Sequence, residues 1–395
     1  MKKYFVLAAL FVLSLITYID RASISVAKAP IAADLSLSDQ AMGAVFSAFA
    51  LGYAIAQMPG GWMADKFGPR LALTAVVIAW SFFTGLTGAV GSFSTILAVR
   101  FLFGACEAGA FPGSARAIYN WLPATQRGIA NGILFSGSRI GAALSFPLLV
   151  WMLEKYQWRS SFVILATIGV IWAFLWFVFF RDHASEIPAQ EIVQQSSLDF
   201  KSLFRSRLML LTMWQYFASN FTFFICLSWM LPYLKSEFSL TGTVAANYAM
   251  IPLLCGAAAQ WIAGLAVDSL YRAGWKSWSR QIPAMIGFGL AVVGLFALPM
   301  AHSPAATVAC FALTTFGADL TLSPSWSYCL DIGGANSGLI SGAMNMVGNI
   351  GAFVSANAFP FLIAKTGSAN SYFIFAGILN LSAIVCWYFL SDADR

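Results

Sequence analysis

Four charged residues interrupt two long apolar stretches of this sequence. Asp20 and Arg21 lie near the end of the apolar residues 4–27, and Arg100 and Glu107 interrupt a second such stretch. A charge inside a bilayer costs about 2.5 to 17 kcal/mol, depending on the reference state, so it usually faces a cavity or a partner. The arginines could clamp a carboxylate through paired N–H donors, and the carboxyl groups could carry protons.

The spacing on the second stretch supports this chemistry. Arg100 and Glu107 are seven residues apart, so on a helix they share one face about 10 Å apart along the axis. Burial disfavours an ionised carboxyl group, whereas a neighbouring arginine favours it. An anion bound to Arg100 would weaken the stabilisation that this arginine gives to the ionised Glu107 carboxylate. Glu107 is therefore the first candidate for proton coupling. The alternative interpretation is that Asp20–Arg21 or Arg100–Glu107 are only neutralising ion pairs.

The composition indicates an integral membrane protein. Of the 395 residues, 59% are hydrophobic and 10% are charged, whereas a soluble domain carries about 25% charged residues. The net charge of +6 is spread along the chain, which argues against nucleic-acid binding. The six cysteines lie in apolar stretches without a C-x-x-C pair, and there are two histidines. We therefore expect no metal site, no disulfide framework and no cofactor.

About 20 apolar residues span a bilayer as a helix, and the continuous apolar runs are too long for barrel strands. The sequence predicts twelve such spans, at roughly 4–27, 40–63, 71–91, 95–118, 127–152, 160–180, 208–232, 242–267, 281–300, 304–328, 335–363 and 371–390. The predicted fold is an all-α membrane protein with two pseudo-symmetric six-helix halves. These halves are residues 1–180 and 208–395, joined by a cytoplasmic linker at 181–207.

The distribution of lysine and arginine predicts the orientation, because cytoplasmic loops are enriched in both. With the N-terminus inside, fourteen fall on the cytoplasmic side: Lys2, Lys3, Lys66, Arg70, Arg116, Arg127, Arg181, Lys201, Arg205, Arg207, Arg272, Lys276, Arg280 and Arg395. Five fall outside: Lys28, Lys155, Arg159, Lys235 and Lys365. We expect both termini to be cytoplasmic in a multi-pass protein of a plasma membrane, with a bacterial inner membrane favoured.

A motif after the second span indicates the family. Residues 61–70 read Gly-x-x-x-Asp-Lys-x-Gly-x-Arg, and a degenerate copy, Gly264 followed by Asp268, comes after the eighth span. This motif resembles the signature loop of the major facilitator superfamily, and the copy fits a duplicated architecture. The resemblance implies a cytoplasmic gate, in which Asp65 meets the end of a neighbouring helix in the outward-open state; its residues are Gly61, Asp65, Lys66, Gly68 and Arg70. The alternative is that the basic residues only set topology.

Two further segments resemble one branch of that superfamily. Tyr18-Ile-Asp-Arg21 and Arg100-Phe-Leu-Phe-Gly-Ala-Cys-Glu107 are similar to the anion:cation symporters, which include sugar-acid, hexuronate and galactonate transporters and sialin. The resemblance implies uptake of an organic anion with protons and makes Asp20 a second proton-coupling candidate. It also implies that Tyr53, Ser323, Trp326 and Asn345 bind substrate together with Arg21 and Arg100, and Tyr18 could offer a further hydroxyl group.

Some positions leave alternatives open. Sugar-acid members often have a glutamine where this chain has Ser138, followed by Arg139. Arg139 could add a third positive charge to the cavity, suiting a dicarboxylate or bulkier anion, or it could pair with Asp20 or Glu107. Asp319, in the middle of the tenth span, is either a functional carboxylate or the partner of a buried donor.

Together these observations predict a secondary active transporter rather than an enzyme, working by alternating access as a proton-coupled symporter. Its expected partners are a small organic anion, protons and the lipid bilayer, and we expect a monomer. An anion exchanger or exporter without net proton coupling is the alternative. A transporter-like membrane sensor is disfavoured because the linker is too short for a signalling domain.

Overall fold

Helices account for all the regular structure of the described residues. The computed structural model describes residues 3–182, 203–240, 242–276 and 278–390, and this part of the chain contains no strand, which confirms the all-α prediction. Its α-helices are α1 (Lys3–Val26), α2 (Lys28–Asp34), α3 (Asp39–Thr87), α4 (Phe93–Glu107), α5 (Ala110–Trp121), α6 (Arg127–Lys155), α7 (Trp158–Phe179), α8 (Arg207–Ser228), α9 (Met230–Phe238), α10 (Gly242–Arg272), α11 (Trp278–Ala297), α12 (Pro304–Leu320), α13 (Leu322–Gly333), α14 (Ser337–Thr366) and α15 (Asn370–Leu390).

Serine residues set the beginnings of several helices. Ser92 accepts a hydrogen bond from the Thr95 backbone N–H, and the Thr95 hydroxyl accepts one from Ser92, which forms a capping box before α4. Ser303 caps α12, whose first residue is Pro304. Such caps satisfy backbone N–H groups that lack a partner within the first helical turn. They therefore fix the start of α4, the helix that carries Arg100 and Glu107.

Eight helical stretches in the described part of the chain are long and apolar enough to cross a bilayer, and up to nine if the bent pair Ala124–Ser145 and Leu148–Lys155 is one crossing. Gln40–Thr87 has 48 residues and Pro304–Thr366 has 63, far more than the roughly 20 that one crossing needs. The first of these breaks at Gly68, whose φ of 79° lies outside the helical region. Glycine adopts this conformation readily because it has no Cβ.

The chain divides into two compact units. Unit 1 comprises Met1–Leu122, Gly137–Ser196 and Leu330–Met346, and unit 2 comprises Pro123–Ser136, Ser197–Cys329 and Val347–Arg395. Each unit thus contains a short segment from the opposite half of the sequence, which is the beginning of α14 in unit 1 and of α6 in unit 2. Most of the predicted linker, residues 183–202, lies outside the described residues.

Candidate functional site

The four charged residues of the first and fourth predicted spans form one buried cluster in unit 1, called the charged cluster below. Arg21 Nε donates to Glu107 Oε2 at 3.0 Å, which joins α1 to the end of α4. Glu107 is fully buried and Arg100 and Asp20 are 1% exposed, whereas the Arg21 side chain is 19% exposed. The close ion pair therefore joins residues of two different helices. It is neither of the two pairs considered from the sequence, Asp20–Arg21 and Arg100–Glu107.

Aromatic rings surround both guanidinium groups. The Arg21 guanidinium carbon lies 4.3 Å from the Tyr53 ring centroid and 5.1 Å from that of Tyr18. The Phe49 ring is shared, with its centroid 5.5 Å from Arg21 and 5.3 Å from Arg100. Ring faces carry partial negative charge and attract cations, so these contacts stabilise both charges.

Several polar atoms of the charged cluster make no hydrogen bond within the described residues. They are buried, and they are Arg21 Nη2, Arg100 Nε, Glu107 Oε1 and Asp20 Oδ1. An unsatisfied buried polar atom costs roughly 1–3 kcal/mol and more when charged. Two guanidinium donors and two carboxylate oxygens thus remain available to an anion and to protons, which is the arrangement that a binding site for both requires.

Asp20 does not pair with the adjacent Arg21. Its Oδ2 accepts a hydrogen bond from the indole Nε1 of Trp80 in α3 at 3.1 Å. The carboxyl group also interacts electrostatically with Glu107 and Arg100, so the two acidic side chains of the cluster belong to one interacting set. Trp80 was not among the sequence candidates, since a tryptophan in an apolar span carries no distinguishing signal.

Tyr53 and Gln57 lie one helical turn apart on α3, so they share a face. The Gln57 Oε1 accepts a hydrogen bond from Asn345 Nδ2 at 2.9 Å, while the buried Gln57 Nε2 makes none within the described residues. Asn345 was predicted from family resemblance, whereas Gln57 was missed. A sequence signal for it existed, because glutamine precedes the motif glycine by four residues at Gln57 and again at Gln260.

The Cβ of Arg139 lies on the face of α6 opposite to α1. On α6, a Cβ at Gly137 would lie 2.6 Å from the Phe11 carbonyl oxygen, and one at Gly141 would lie 2.7 Å from that of Leu15, so this face packs directly against α1. Arg139 is two residues from each glycine, or about 200° around the helix, which places its Cβ on the opposite face. Arg139 and Ser138 are both buried, at 6% and 1% exposure.

Two of the predicted substrate residues of the C-terminal half, Ser323 and Trp326, have internal hydrogen bonds in unit 2. Ser323 donates to the Gly128 carbonyl at 2.7 Å, and Trp326 Nε1 donates to the Tyr216 hydroxyl at 2.9 Å. Nearby, Gln215 Oε1 accepts from the Ser325 hydroxyl and from Trp387 Nε1. We call Gln215, Tyr216, Ser325, Trp326 and Trp387 the neutral network, because each of these pairs joins uncharged groups.

Asp319, the remaining candidate of the tenth predicted span, carries a charge within unit 2. It is 1% exposed, and its carboxylate packs against Gly256, where a Cβ would clash with Oδ2. A side chain at position 256 would therefore displace the carboxylate. The position of Asp319, with Thr315 on the same side of Gly256, leaves both of its predicted roles open.

The predicted gate residues form a helix-capping contact in unit 1. Asp65 accepts hydrogen bonds from the backbone N–H groups of Gly338 and Leu339 at 2.8 and 2.6 Å, at the N-terminus of α14. This end of a helix carries partial positive charge and stabilises a carboxylate. Arg116 Nε lies 3.9 Å from Asp65 Oδ1. A side chain at Gly61 would clash with the Gly338 carbonyl, which explains the glycine of the motif.

The degenerate copy of the motif makes the same contact in unit 2. Asp268 accepts hydrogen bonds from the backbone N–H groups of Gly128 and Ile129, both at 2.8 Å, near the N-terminus of α6. Gly264 meets the Gly128 carbonyl as Gly61 meets that of Gly338. Although only glycine and aspartate are retained from the motif, these two residue types are sufficient to reproduce the geometry.

The remaining motif residues lie at the break in α3. Gly68 interrupts the helix, and the Arg70 backbone N–H donates to Asp182 Oδ1 at 2.8 Å. Arg70 Nε donates to the Phe177 carbonyl at 2.8 Å. Lys66 is exposed and lies over the Trp62 ring at 4.5 Å. These contacts stabilise the segment between the second and third predicted spans. Of the five predicted gate residues, Asp65 is the one that supplies the carboxylate at the helix N-terminus.

Comparison with known proteins assigns the family. The Major Facilitator Superfamily model matches residues 10–356. The chain belongs to the major facilitator superfamily. It is similar to the "Probable sulfoacetate transporter SauU" of Cupriavidus necator, with 33% identity over 395 residues, 95% of this chain and 91% of the relative. It is also 30% identical over 421 residues to the "Probable galactarate/D-glucarate transporter GarP" of Escherichia coli, covering 98% of this chain and 94% of the relative.

A solved structure agrees with the assigned fold. The proton:xylose symporter XylE superimposes with a TM-score of 0.78 at 14% identity, covering 98% of this chain and 95% of that one. The protein is thus a multi-pass membrane transporter with the all-helical superfamily fold, rather than an enzyme. Its curated relatives place it among transporters named for organic acids, as the motifs around Arg21 and Glu107 predicted.

Proposed function

We propose that this protein takes up a small organic anion together with protons across a plasma membrane, by alternating access. The observation that carries the proposal is the ion pair between Arg21 and Glu107, buried at 3.0 Å with one further polar atom of each residue making no hydrogen bond in the described part of the chain. An anion that binds Arg21 competes directly with Glu107. The displaced carboxylate, held in a buried site, then favours its protonated form.

The substrate chemistry follows from the donors and the relatives. Two guanidinium groups can bind a carboxylate or a sulfonate bidentately, and the relatives are named for sulfoacetate and for galactarate and D-glucarate. If the anionic group of the substrate binds between Arg21 and Arg100, the remainder of the substrate would contact polar groups such as those of Tyr53, Gln57 and Asn345. The proposed substrate is therefore a short organic acid bearing a carboxylate or sulfonate.

The proposed topology has twelve crossings with both termini in the cytoplasm. The stretches 40–87 and 304–366 are each long enough for two crossings, and the bent pair in α6 and the 22 residues of α8 supply the others. Fourteen of the lysines and arginines then lie on the cytoplasmic side and five outside, as the positive-inside rule expects. The aspartate caps at Asp65 and Asp268 would close that side when the carrier faces outward.

Proteoliposome uptake tests the function. Vesicles are given sulfoacetate, D-glucarate or D-galactonate with an acidic exterior, with and without an uncoupler. Symport predicts accumulation of at least one anion above its external concentration, lost on addition of the uncoupler. Uptake that requires internal substrate and ignores the uncoupler would instead identify an exchanger. A thermal-shift titration with the same three acids provides an independent measurement of binding.

A further inference from the structure

The carboxyl group of Asp20 is held from outside its own helix by an indole. Trp80 Nε1 donates to Asp20 Oδ2 at 3.1 Å, across 60 residues of sequence. Trp80 is fully buried and Asp20 is 1% exposed, so water does not compete for this bond. The second oxygen, Oδ1, is buried and makes no hydrogen bond within the described residues. The two oxygens of one carboxyl group are thus placed in different environments.

The indole has little freedom to move. A Cβ at Gly169 of α7 would clash with the Ser81 hydroxyl and would lie 3.8 Å from Trp80 Nε1, so the α7 backbone closes one side of the ring. In a close-packed interior, side chains sit in rotamer minima and leave few voids around them. The N–H donor is therefore directed at Asp20 before any proton or substrate arrives.

The other charged groups facing Asp20 come from α4. They are Glu107 and Arg100. The remaining helices packed against α1 direct their charges elsewhere. Arg139 of α6 lies on the face opposite to α1, Arg159 of α7 pairs with Asp34, and Arg116 of α5 lies beside Asp65.

We propose that Trp80 is a positioning residue that anchors one oxygen of Asp20 and leaves the other to take and release the proton. A hydrogen bond to an ionised carboxylate favours the ionised form, so the indole also sets how tightly the proton is held. The consequence for transport rests on the proposed proton coupling, whereas the anchoring of the carboxylate does not. Nothing in this role requires Trp80 to touch the substrate.

The test compares Trp80→Phe with Trp172→Phe. Trp172 is a matched control because it is buried in unit 1 and donates its indole N–H to the Ala9 backbone carbonyl at 3.0 Å. Two readouts are taken over a pH series: the uptake rate in proteoliposomes, and the infrared band of the protonated carboxyl group assigned to Asp20 by its loss in Asp20→Asn. Trp80→Leu serves as a second donor-free variant with different packing.

We expect Trp80→Phe and Trp80→Leu to move both pH profiles about one unit to higher pH, about tenfold in proton affinity, and Trp172→Phe to leave them in place. Unshifted infrared profiles in both Trp80 variants, or an equal shift in Trp172→Phe, would overturn the proposal. If wild-type uptake ignores the uncoupler while the infrared shift persists, the proposed function fails and the anchoring role stands. If uptake is proton-driven but the infrared band does not shift, the anchoring role fails and the proposed function stands.

Discussion

The charged cluster of unit 1 and the neutral network of unit 2 differ in charge and in how their hydrogen bonds are satisfied. In unit 1 the charged cluster contains atoms with no hydrogen-bond partner in the described part of the chain, such as Arg21 Nη2 and Glu107 Oε1. In unit 2 the neutral network pairs its polar groups internally, as in the bond from Trp326 to Tyr216. Open charged groups can exchange partners with an ion, whereas a closed neutral network mainly fixes side chains. We therefore expect the chemistry of transport in unit 1.

The largest effect is expected for a substitution of Glu107, in the charged cluster. Replacing Glu107 by Gln should abolish accumulation of the anion above its external concentration, because the anion then displaces a neutral amide from Arg21 instead of a carboxylate that can take up a proton. Counterflow exchange should persist, since Arg21 and Arg100 remain. Removing one member of a buried pair also destabilises a protein by about 3–5 kcal/mol, so thermal unfolding is measured in parallel. Full concentrative uptake by this variant would contradict the division between the units.

The second largest effect is expected at Arg100. Arg100→Gln should weaken anion binding by roughly 2–5 kcal/mol, the usual loss when one partner of a buried, hydrogen-bonded charge pair is truncated. Isothermal titration with the anion found in the uptake screen measures this change. An unaltered dissociation constant would mean that the second guanidinium does not contact the substrate.

A smaller effect is expected in the neutral network. Trp326→Phe removes one neutral hydrogen bond to Tyr216, for which about 0.5–1.5 kcal/mol is typical. We expect a rise in KM of up to about tenfold with accumulation retained. Loss of proton-driven accumulation in this variant would place coupling chemistry in unit 2 as well. Gln215→Leu provides a second variant in the same network.

The smallest effect is expected at the two capping aspartates, and it should be equal. Asp65→Asn and Asp268→Asn each remove the charge at a helix N-terminus, an interaction of about 0.3–1 kcal/mol. The midpoint of thermal unfolding should fall by similar amounts in both, because both carboxylates accept two backbone N–H bonds of nearly equal length. A large fall at Asp65 alone would assign the additional stability to Arg116.

Composition and motifs were sufficient for the helical fold and for the family. Long apolar runs allow few structures other than helices, and Gly61 with Asp65 required only local spacing. The partners of the charged residues were not predictable in the same way. The Arg21–Glu107 pair spans 86 residues and the Asn345–Gln57 pair 288, and no periodicity within one helix encodes such distances.

Aromatic residues show the same limit. Trp80 and Phe49 lie in apolar spans where an aromatic side chain is ordinary, so their contacts with Asp20 and Arg21 leave no mark on the sequence. The hydrogen bonds of Ser323 and Trp326 likewise depend on partners in other helices, namely Gly128 and Tyr216. Sequence reasoning identifies which residues could do chemistry, and tertiary packing decides which of them face one another.

The paired glycines affect how strongly the two helix-end contacts resist displacement. Gly61 meets Gly338 in unit 1 and Gly264 meets Gly128 in unit 2, in each case backbone against backbone. Ordinary helix crossings interlock side-chain ridges in grooves, and these ridges resist displacement at every step. Where backbone meets backbone, the aspartate hydrogen bonds are the directional interactions that hold the two helices together. Release of each contact should therefore depend mainly on breaking its two aspartate hydrogen bonds.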